Sequence, residues 1–417
     1  MGWISGRGIT RAAWRGLAAG AAGLLLGGCP ALGPSADEAA RSLSERRAPG
    51  FTRLEEQPVD TPVAIVNGQL IVDVTIDDVG PLGFLLDTGS GRSLIDPRVA
   101  SAFPERLVPG VTRVEDSNGA VSRAAEELRA GRLQVGDASF EDVRLLLVQL
   151  PEAFAKNDIV GILGFDVFAD TLLTIDYCRS VIRLEAGALE ESNDVTPYEL
   201  DQSLPFVDFS IGEEAVRGLL DTGFTGFVDL PDEVAPGAFA AGPVPWVRSF
   251  GLFSSSRTQI GRLATSLTFA ARQIDSAVVT VSAGREYALL GSDLLDEFVV
   301  TIDQSSQQVR LARASDAPIE TRAPRHAGFE VAFVEPRRQF VVSDVIPQTP
   351  AEQLGVRVGD VLLAVSGVEL ASASEGGAAI TVVPELGDVQ RLDVTLQRGV
   401  EVIELSIPVF DLDALGE

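Results

Sequence analysis

The chain has 417 residues, 46% of them hydrophobic, with 41 Gly, 23 Pro and a formal net charge of -27. That length asks for several domains of roughly 100 to 200 residues each, and the Val, Ile, Gly and Pro content points to a strand-rich globular protein. The charge leaves no basic surface for a polyphosphate backbone or for anionic head groups, so nucleic acid is excluded as a partner. Scarce residues narrow the chemistry further: there is one His (His326), one Lys (Lys156) and two Cys (Cys29, Cys178). A Ser-His-Asp triad, a Cys-His pair or a His-rich zinc site would all have to pass through His326 or Cys178, and His326 sits in a Pro/Arg-rich connector. Hydrolysis must therefore rest on carboxylates. No metal, cofactor or disulfide is expected.

Residues 1–28 carry Arg7, Arg11 and Arg15 without an acid, then the apolar small-residue run Leu17 to Gly28. This reads as a secretory signal, too short to span a bilayer comfortably. It ends in Leu26-Gly27-Gly28-Cys29, which resembles the bacterial lipoprotein cleavage box. The resemblance implies cleavage before Cys29, lipidation of its sulfur, and an exported lipoprotein held at the periplasmic or outer face of a membrane by its lipid alone. Removing the leader leaves 30 basic against 60 acidic residues, a charge of -30. Residues 29–57, rich in Pro, Ala, Ser and charge, read as a flexible tether.

Beyond the tether the chain matches itself in several places in one order. Phe84-Leu85-Leu86-Asp87-Thr88-Gly89 answers Gly218-Leu219-Leu220-Asp221-Thr222-Gly223 at an offset of 134. Gly131-Arg132-Leu133 answers Gly261-Arg262-Leu263 at 130, and Gly161-Ile162-Leu163-Gly164 answers Ala288-Leu289-Leu290-Gly291 at 127. Thr174-Ile175-Asp176 likewise answers Thr301-Ile302-Asp303. Two halves follow, 58–186 and 196–313. Their short apolar runs, separated by turn residues, predict mostly antiparallel strands. Asp116-Ser117-Asn118-Gly119 is a hairpin turn signal, and Ser249 to Ser256 occupies the corresponding stretch of the second half.

One Asp-Thr-Gly would arise by chance about one time in ten in a chain this long, but two copies, each after an apolar strand and each followed by an apolar pair and Gly, are far more specific. One carboxylate cannot both activate water and polarise a carbonyl. Two held close share a proton, because like charges at that separation cannot both ionise; aspartic proteases are the standard example of this effect. The ionised member acts as general base on water and the protonated one hydrogen-bonds the scissile carbonyl. Gly after each Asp-Thr lets backbone pass close to the carboxylate, and the Thr hydroxyl offers a local hydrogen bond.

From 58 to 313 the chain resembles the retropepsin-like and pepsin-like aspartic peptidases, in particular the bacterial single-chain kind. The resemblance implies a mainly β, two-lobed β-barrel peptidase in which Asp87 and Asp221 are catalytic and Thr88 and Thr222 brace the two loops against each other. Gly89, Ser90 and Gly223 would support those loops. The apolar-apolar-Gly segments would thread behind them, and the two hairpins, with Asn118, Gly119 and Gly251, would cover a peptide or protein substrate. One departure stands out: Ser90 follows the first motif but Phe224 follows the second, so the hydroxyl orienting Asp221 would come from Thr225 or be missing. Neither flap shows the Tyr of pepsin-like enzymes.

After a connector at about 314–325, Thr349 to Glu352 forms a capping box with Pro350 at the first helical position, and Gly355 closes a short helix. With Gly359-Asp360 and Gly367 this resembles a PDZ domain (α+β) of the bacterial protease-associated type, spanning 322–410. PDZ domains take a C-terminal peptide as an added strand, its carboxylate held on backbone N–H groups, here near Gly328-Phe329.

Asp176 and Asp303 read as structural strand ends, and Cys178 as a buried inert thiol. Phe250, Phe253 and Trp246 are candidate pocket residues near the second flap. The expected function is an aspartic endopeptidase with PDZ-mediated recruitment. Two other readings remain: a non-catalytic, lipid-anchored peptide-binding protein, or lobes serving only as a partner interface, which requires the Asp-Thr-Gly loops to lie far apart. The acidic charge should raise the upper pKa of the pair and extend activity toward mildly acidic or neutral pH.

Overall fold

The computed structural model describes residues 24–25, 51–54, 58–234, 237–313, 315–321, 324–334, 338–370, 386 and 389–411. Cys29, nearly all of the leader and most of the tether lie outside the described residues. The last part of the expected tether is not a tether: Phe51–Leu54 is a strand running antiparallel to Ala138–Glu141, and Thr52 N donates to Asp170 Oδ2 at 2.9 Å.

The chain is mainly β, with two compact units, one up to Arg322 and one from Ala323 onward. The first contains both halves of the repeat, and each half folds along the same path. In the first lobe the order is Leu107–Asp116, Val121–Val135, Ala138–Leu147, Leu94–Ile95, Ile159–Gly164, Val79–Asp87, Gln69–Ile76. The second repeats it with Val244–Phe250, Ser255–Arg262, Val278–Ser282, Val228–Pro231, Ala288–Leu290, Glu214–Leu220, Leu204–Ile211. The expected apolar-apolar-Gly threading is present in both: Leu163 pairs with Leu86 and Gly164 with Asp87 in parallel, and Leu290 pairs with Leu220. Parallel strands cannot be joined by a tight hairpin, so each lobe must send its chain out through the hairpin before it returns behind the Asp-bearing strand.

A third, six-stranded sheet joins the lobes. Its centre is the two Thr-Ile-Asp strands, which pair antiparallel with one another: Thr174 opposes Thr301, their hydroxyls 2.9 Å apart, and Leu172 opposes Asp303. A repeat paired with its own copy in this way generates an approximate two-fold axis. Asp176 and Asp303 are structural, as expected. Asp303 accepts from Leu189 N, Ser306 N and Ser305 Oγ, and Asp176 from Arg179 N. Cys178, expected to be buried, is exposed, because the strand ends at Asp176 and the thiol falls in the following turn.

The C-terminal unit is a six-stranded antiparallel sheet ordered Phe329–Val334, Gln339–Val345, Val361–Val365, Arg391–Arg398, Glu401–Pro408, with Val368–Glu369 pairing beside Val361–Val365 off that path, and with the short helix Pro350–Gln353. Its core holds Phe329, Val342, Ala351, Leu392, Leu396 and Ile407. The expected capping box does not form: Glu352 Oε2 accepts at 2.8 Å from Gln348 N, one residue before the N-cap, and Thr349 Oγ1 turns away to donate to Ile346 O at 2.7 Å. His326 is not in an open connector. It is buried in this unit, its Nδ1 accepting from Gly328 N at 2.9 Å, and burial lowers its pKa to about 4. The Gly328 amide is therefore not free for a ligand carboxylate, being taken by His326, and the Phe329 side chain is core.

Candidate active site

The two Asp-Thr-Gly loops meet. The last residues of each Asp-bearing strand, Phe84–Asp87 and Gly218–Leu220, are buried at both faces, and their side chains alternate between the main core and the cleft side. Phe84 and Leu86 belong to the core, while Leu85 joins a separate apolar cluster on the face it shares with Asp87. Leu219 and Asp221 make the same arrangement in the second lobe, where Leu219 clusters with Leu204, Phe206, Phe224 and Leu289. An apolar patch thus flanks each carboxylate.

The Thr residues hold the loops together reciprocally, as expected. Thr88 Oγ1 donates to Leu220 O at 2.7 Å and accepts from Thr222 N at 3.1 Å; Thr222 Oγ1 donates to Leu86 O at 2.8 Å and accepts from Thr88 N at 3.0 Å. Each hydroxyl satisfies one carbonyl and one amide of the opposite lobe. The glycines serve a role one step beyond the expected one, because the carboxylate they make room for belongs to the other lobe. A Cβ at Gly223 would lie 2.6 Å from Asp87 Cγ, and one at Gly89 closer still to Asp221.

Both aspartates are fully buried, yet their surroundings differ. Asp221 Oδ1 accepts from Gly223 N at 2.9 Å and Phe224 N at 3.1 Å. Asp87 receives only weak backbone contact from Gly89 and Ser90 and no hydrogen bond of normal geometry. Burial pushes Asp87 well above the usual carboxylate range, and the adjacent Asp221 charge pushes it further. Burial also raises Asp221, but its two amide donors, the neighbouring Asp87 carboxyl and the charge of Arg285 hold it to about 6. Hydrogen bonds to an anion favour the anion, so the shared proton sits on Asp87 and the charge on Asp221.

Neither expected orienting hydroxyl performs that role. Ser90 Oγ donates to Arg92 O at 2.7 Å, bracing its own loop. Thr225 Oγ1 has no hydrogen-bond partner among the described residues, so it does not orient Asp221. Phe224 instead contributes its backbone N–H, while its ring packs into the space left by Gly226 and Gly291.

With this geometry in place the comparison with known families is informative. The family described as aspartyl protease matches residues 72–167, and the family described as PDZ domain matches 341–379. The chain carries an aspartyl protease domain. The match lies in the first lobe, and the second lobe repeats its strand order and its loop. No curated protein matches the chain. The idea that the lobes serve only as a partner interface fails, since it required the loops to be apart.

Three residues at the candidate site escaped the sequence reading. Arg285 and Asp229 form an ion pair at 2.9 Å with side chains only 4% and 2% exposed, and Arg285 Nη1 donates to Ser117 O at 3.0 Å on the first flap. A signal existed, because at the 127-residue offset Arg285 answers Asp158, a reversal of charge inside the repeat. Asp116 is the third. Of the expected flap residues, Asn118 and Gly251 lie at the contact between the flaps, and Gly119 closes its turn by donating to Asp116 O at 2.9 Å. Trp246 is buried, Phe250 is 41% exposed, and Phe253 packs against the first-lobe cluster.

Proposed function

We propose that the protein is an aspartic endopeptidase. The observation that carries this reading is the pair of buried carboxylates, Asp87 and Asp221, facing each other on mutually braced loops with unequal hydrogen bonding. Asp221, as the anion, accepts a proton from a water molecule placed between the two. Asp87, protonated, donates a hydrogen bond to the scissile carbonyl oxygen. Attack of that water on the carbonyl carbon, with transfer of the Asp87 proton to the carbonyl oxygen, gives a tetrahedral gem-diol with no acyl-enzyme; as the C–N bond breaks, the proton gained by Asp221 passes to the leaving amine and Asp87 takes a proton back from a gem-diol hydroxyl. The Thr88 and Thr222 bonds keep the two groups in register, which matters because misplacement by about 1 Å can cost roughly a hundredfold in rate.

The PDZ unit recruits a peptide, either substrate or partner, as an added strand along Phe329–Val334, an edge of the described sheet. Cys29 carries the lipid, so the peptidase acts as an exported bacterial lipoprotein at the periplasmic or outer face of a membrane. The test is cleavage of an unfolded polypeptide by the full chain between pH 4 and pH 7, with and without a peptide carrying a secondary alcohol in place of the scissile carbonyl. Such an analogue of the gem-diol should bind tightly and block cleavage. Absence of cleavage throughout that range, or cleavage indifferent to the analogue, would overturn the reading.

A further inference from the structure

The two flaps are joined through one carboxylate. Asp116 Oδ1 accepts from Asn118 N at 3.1 Å and Ala120 N at 2.9 Å, which folds the first flap's own turn. Its Oδ2 points to the other lobe, where it accepts from Phe253 N and Ser254 Oγ, both at 2.9 Å. The turn alone would be served as well by Asn, whose single side-chain oxygen makes the same local bonds. The second oxygen has a role only because the second flap is there. Asn118 adds to the junction by accepting from Ser256 Oγ at 3.0 Å.

The second flap is shaped for this contact. A Cβ at Gly251 would overlap the Asp116 carboxylate. Leu252, next in sequence, is 6% exposed and packs not in its own lobe but in the first-lobe cluster with Leu85, Val114, Leu146 and Ile162. Leu85 shares its strand face with Asp87, so the tip of the second flap is seated on the apolar patch beside that catalytic residue. Asp116 itself is fully buried, and an unpaired carboxylate there would be costly; its four donors are the compensation.

We propose that Asp116 is a positioning residue that clasps the two flaps into one lid over the catalytic pair, so that a polypeptide is admitted and held only as both flaps move together. The inference rests on the catalytic reading above and deepens it, since it names the contact that sets substrate access. Asp116→Asn separates the two jobs of the carboxylate. It keeps an oxygen for Asn118 N and Ala120 N but sets an amide N–H₂ against Phe253 N–H.

In the full chain, hydrogen exchange at the 251–254 tip should quicken about tenfold or more in Asp116→Asn, the size of one lost charge-assisted hydrogen bond, while exchange in Val79–Asp87 and Glu214–Leu220 stays as it was. KM for a peptide substrate should rise by a similar factor, and by more than kcat falls. Ser254→Ala, which removes one of the two bonds, should move both readouts in the same direction by less, and it decides the matter alone should Asp116→Asn fail to fold. Unchanged exchange at the tip would overturn the clasp, as would exchange that rises equally throughout the first lobe. Tip protection lost in Asp116→Asn, in a protein whose wild type cleaves nothing, would uphold the clasp and overturn the catalytic reading instead.

Discussion

Replacing Thr88 by Val keeps the outline of the side chain and removes its hydroxyl. In the native fold that hydroxyl donates to Leu220 O and accepts from Thr222 N, and all of these groups are buried between the lobes. Valine offers neither partner, so a carbonyl and an amide each lose a bond away from water. At about 1 to 3 kcal/mol for each buried group left unsatisfied, Thr88→Val should cost roughly 2 to 6 kcal/mol. Thr222→Val, which deprives Leu86 O and Thr88 N, should cost a similar amount. Trp246 lies buried in the second lobe, and the other two tryptophans, Trp3 and Trp14, fall in the leader. In protein lacking residues 1–28, its fluorescence therefore follows the peptidase unit alone. With a urea slope of roughly 3 kcal/mol/M the midpoint should fall by about 0.7 to 2 M, and cleavage should drop at least tenfold as the carboxylates lose their common brace. A midpoint unchanged within about 0.2 M, with full activity, would refute the bracing role.

Further outcomes follow from the same geometry. The pH profile of kcat/KM should be bell-shaped, falling below about pH 6 as Asp221 takes up a proton, and falling again at higher pH as Asp87 releases the one it holds. Stability should move oppositely in the two units: Asp221, raised from 3.8 to about 6 on folding, stabilises the peptidase unit fully below 3.8, and that contribution is lost as pH rises through 6. His326, lowered from 6.5 to about 4, contributes stability to the PDZ unit above 6.5 that is lost as pH falls through 4, so unit-resolved hydrogen exchange at pH 4.5 and 7.5 should show opposite trends. Arg285→Gln strips the buried Asp229 of its cation, a loss of about 3 to 5 kcal/mol, and should shift the acid limb of the pH profile upward. Cys29→Ser should move the protein from the membrane pellet to the soluble fraction.

What the sequence made legible was whatever the repeat wrote twice. Asp87 and Asp221, the Thr braces and the returning Leu163 and Leu290 strands each appear at matching offsets, and pairing two copies of one path is enough to bring their loops to a common axis. Features written once were harder to read. Arg285 and Asp116 act through partners 56 and 137 residues away, Asp229 and Phe253, which no local pattern announces. Thr225 was a reasonable substitute for the missing hydroxyl by spacing, but the bulk of Phe224 and its amide took over that function. In the PDZ unit, spacing located Gly328-Phe329 correctly near a loop, yet could not show that a buried His two residues earlier already accepts from the amide. The local turn at Asp116-Ser117-Asn118-Gly119 was readable, whereas its second oxygen, aimed across the lobes, was not.

The central claim is that Asp87 and Asp221 act as one catalytic unit with unlike roles. It is tested most directly by the cleavage rate of an unfolded polypeptide by the full chain and by Asp87→Asn and Asp221→Asn, each shown to be folded by its Trp246 fluorescence. Each substitution on its own should abolish turnover, since neither the shared proton nor the bound water survives the loss of one carboxylate. A variant that retains a tenth or more of the wild-type rate would contradict the account.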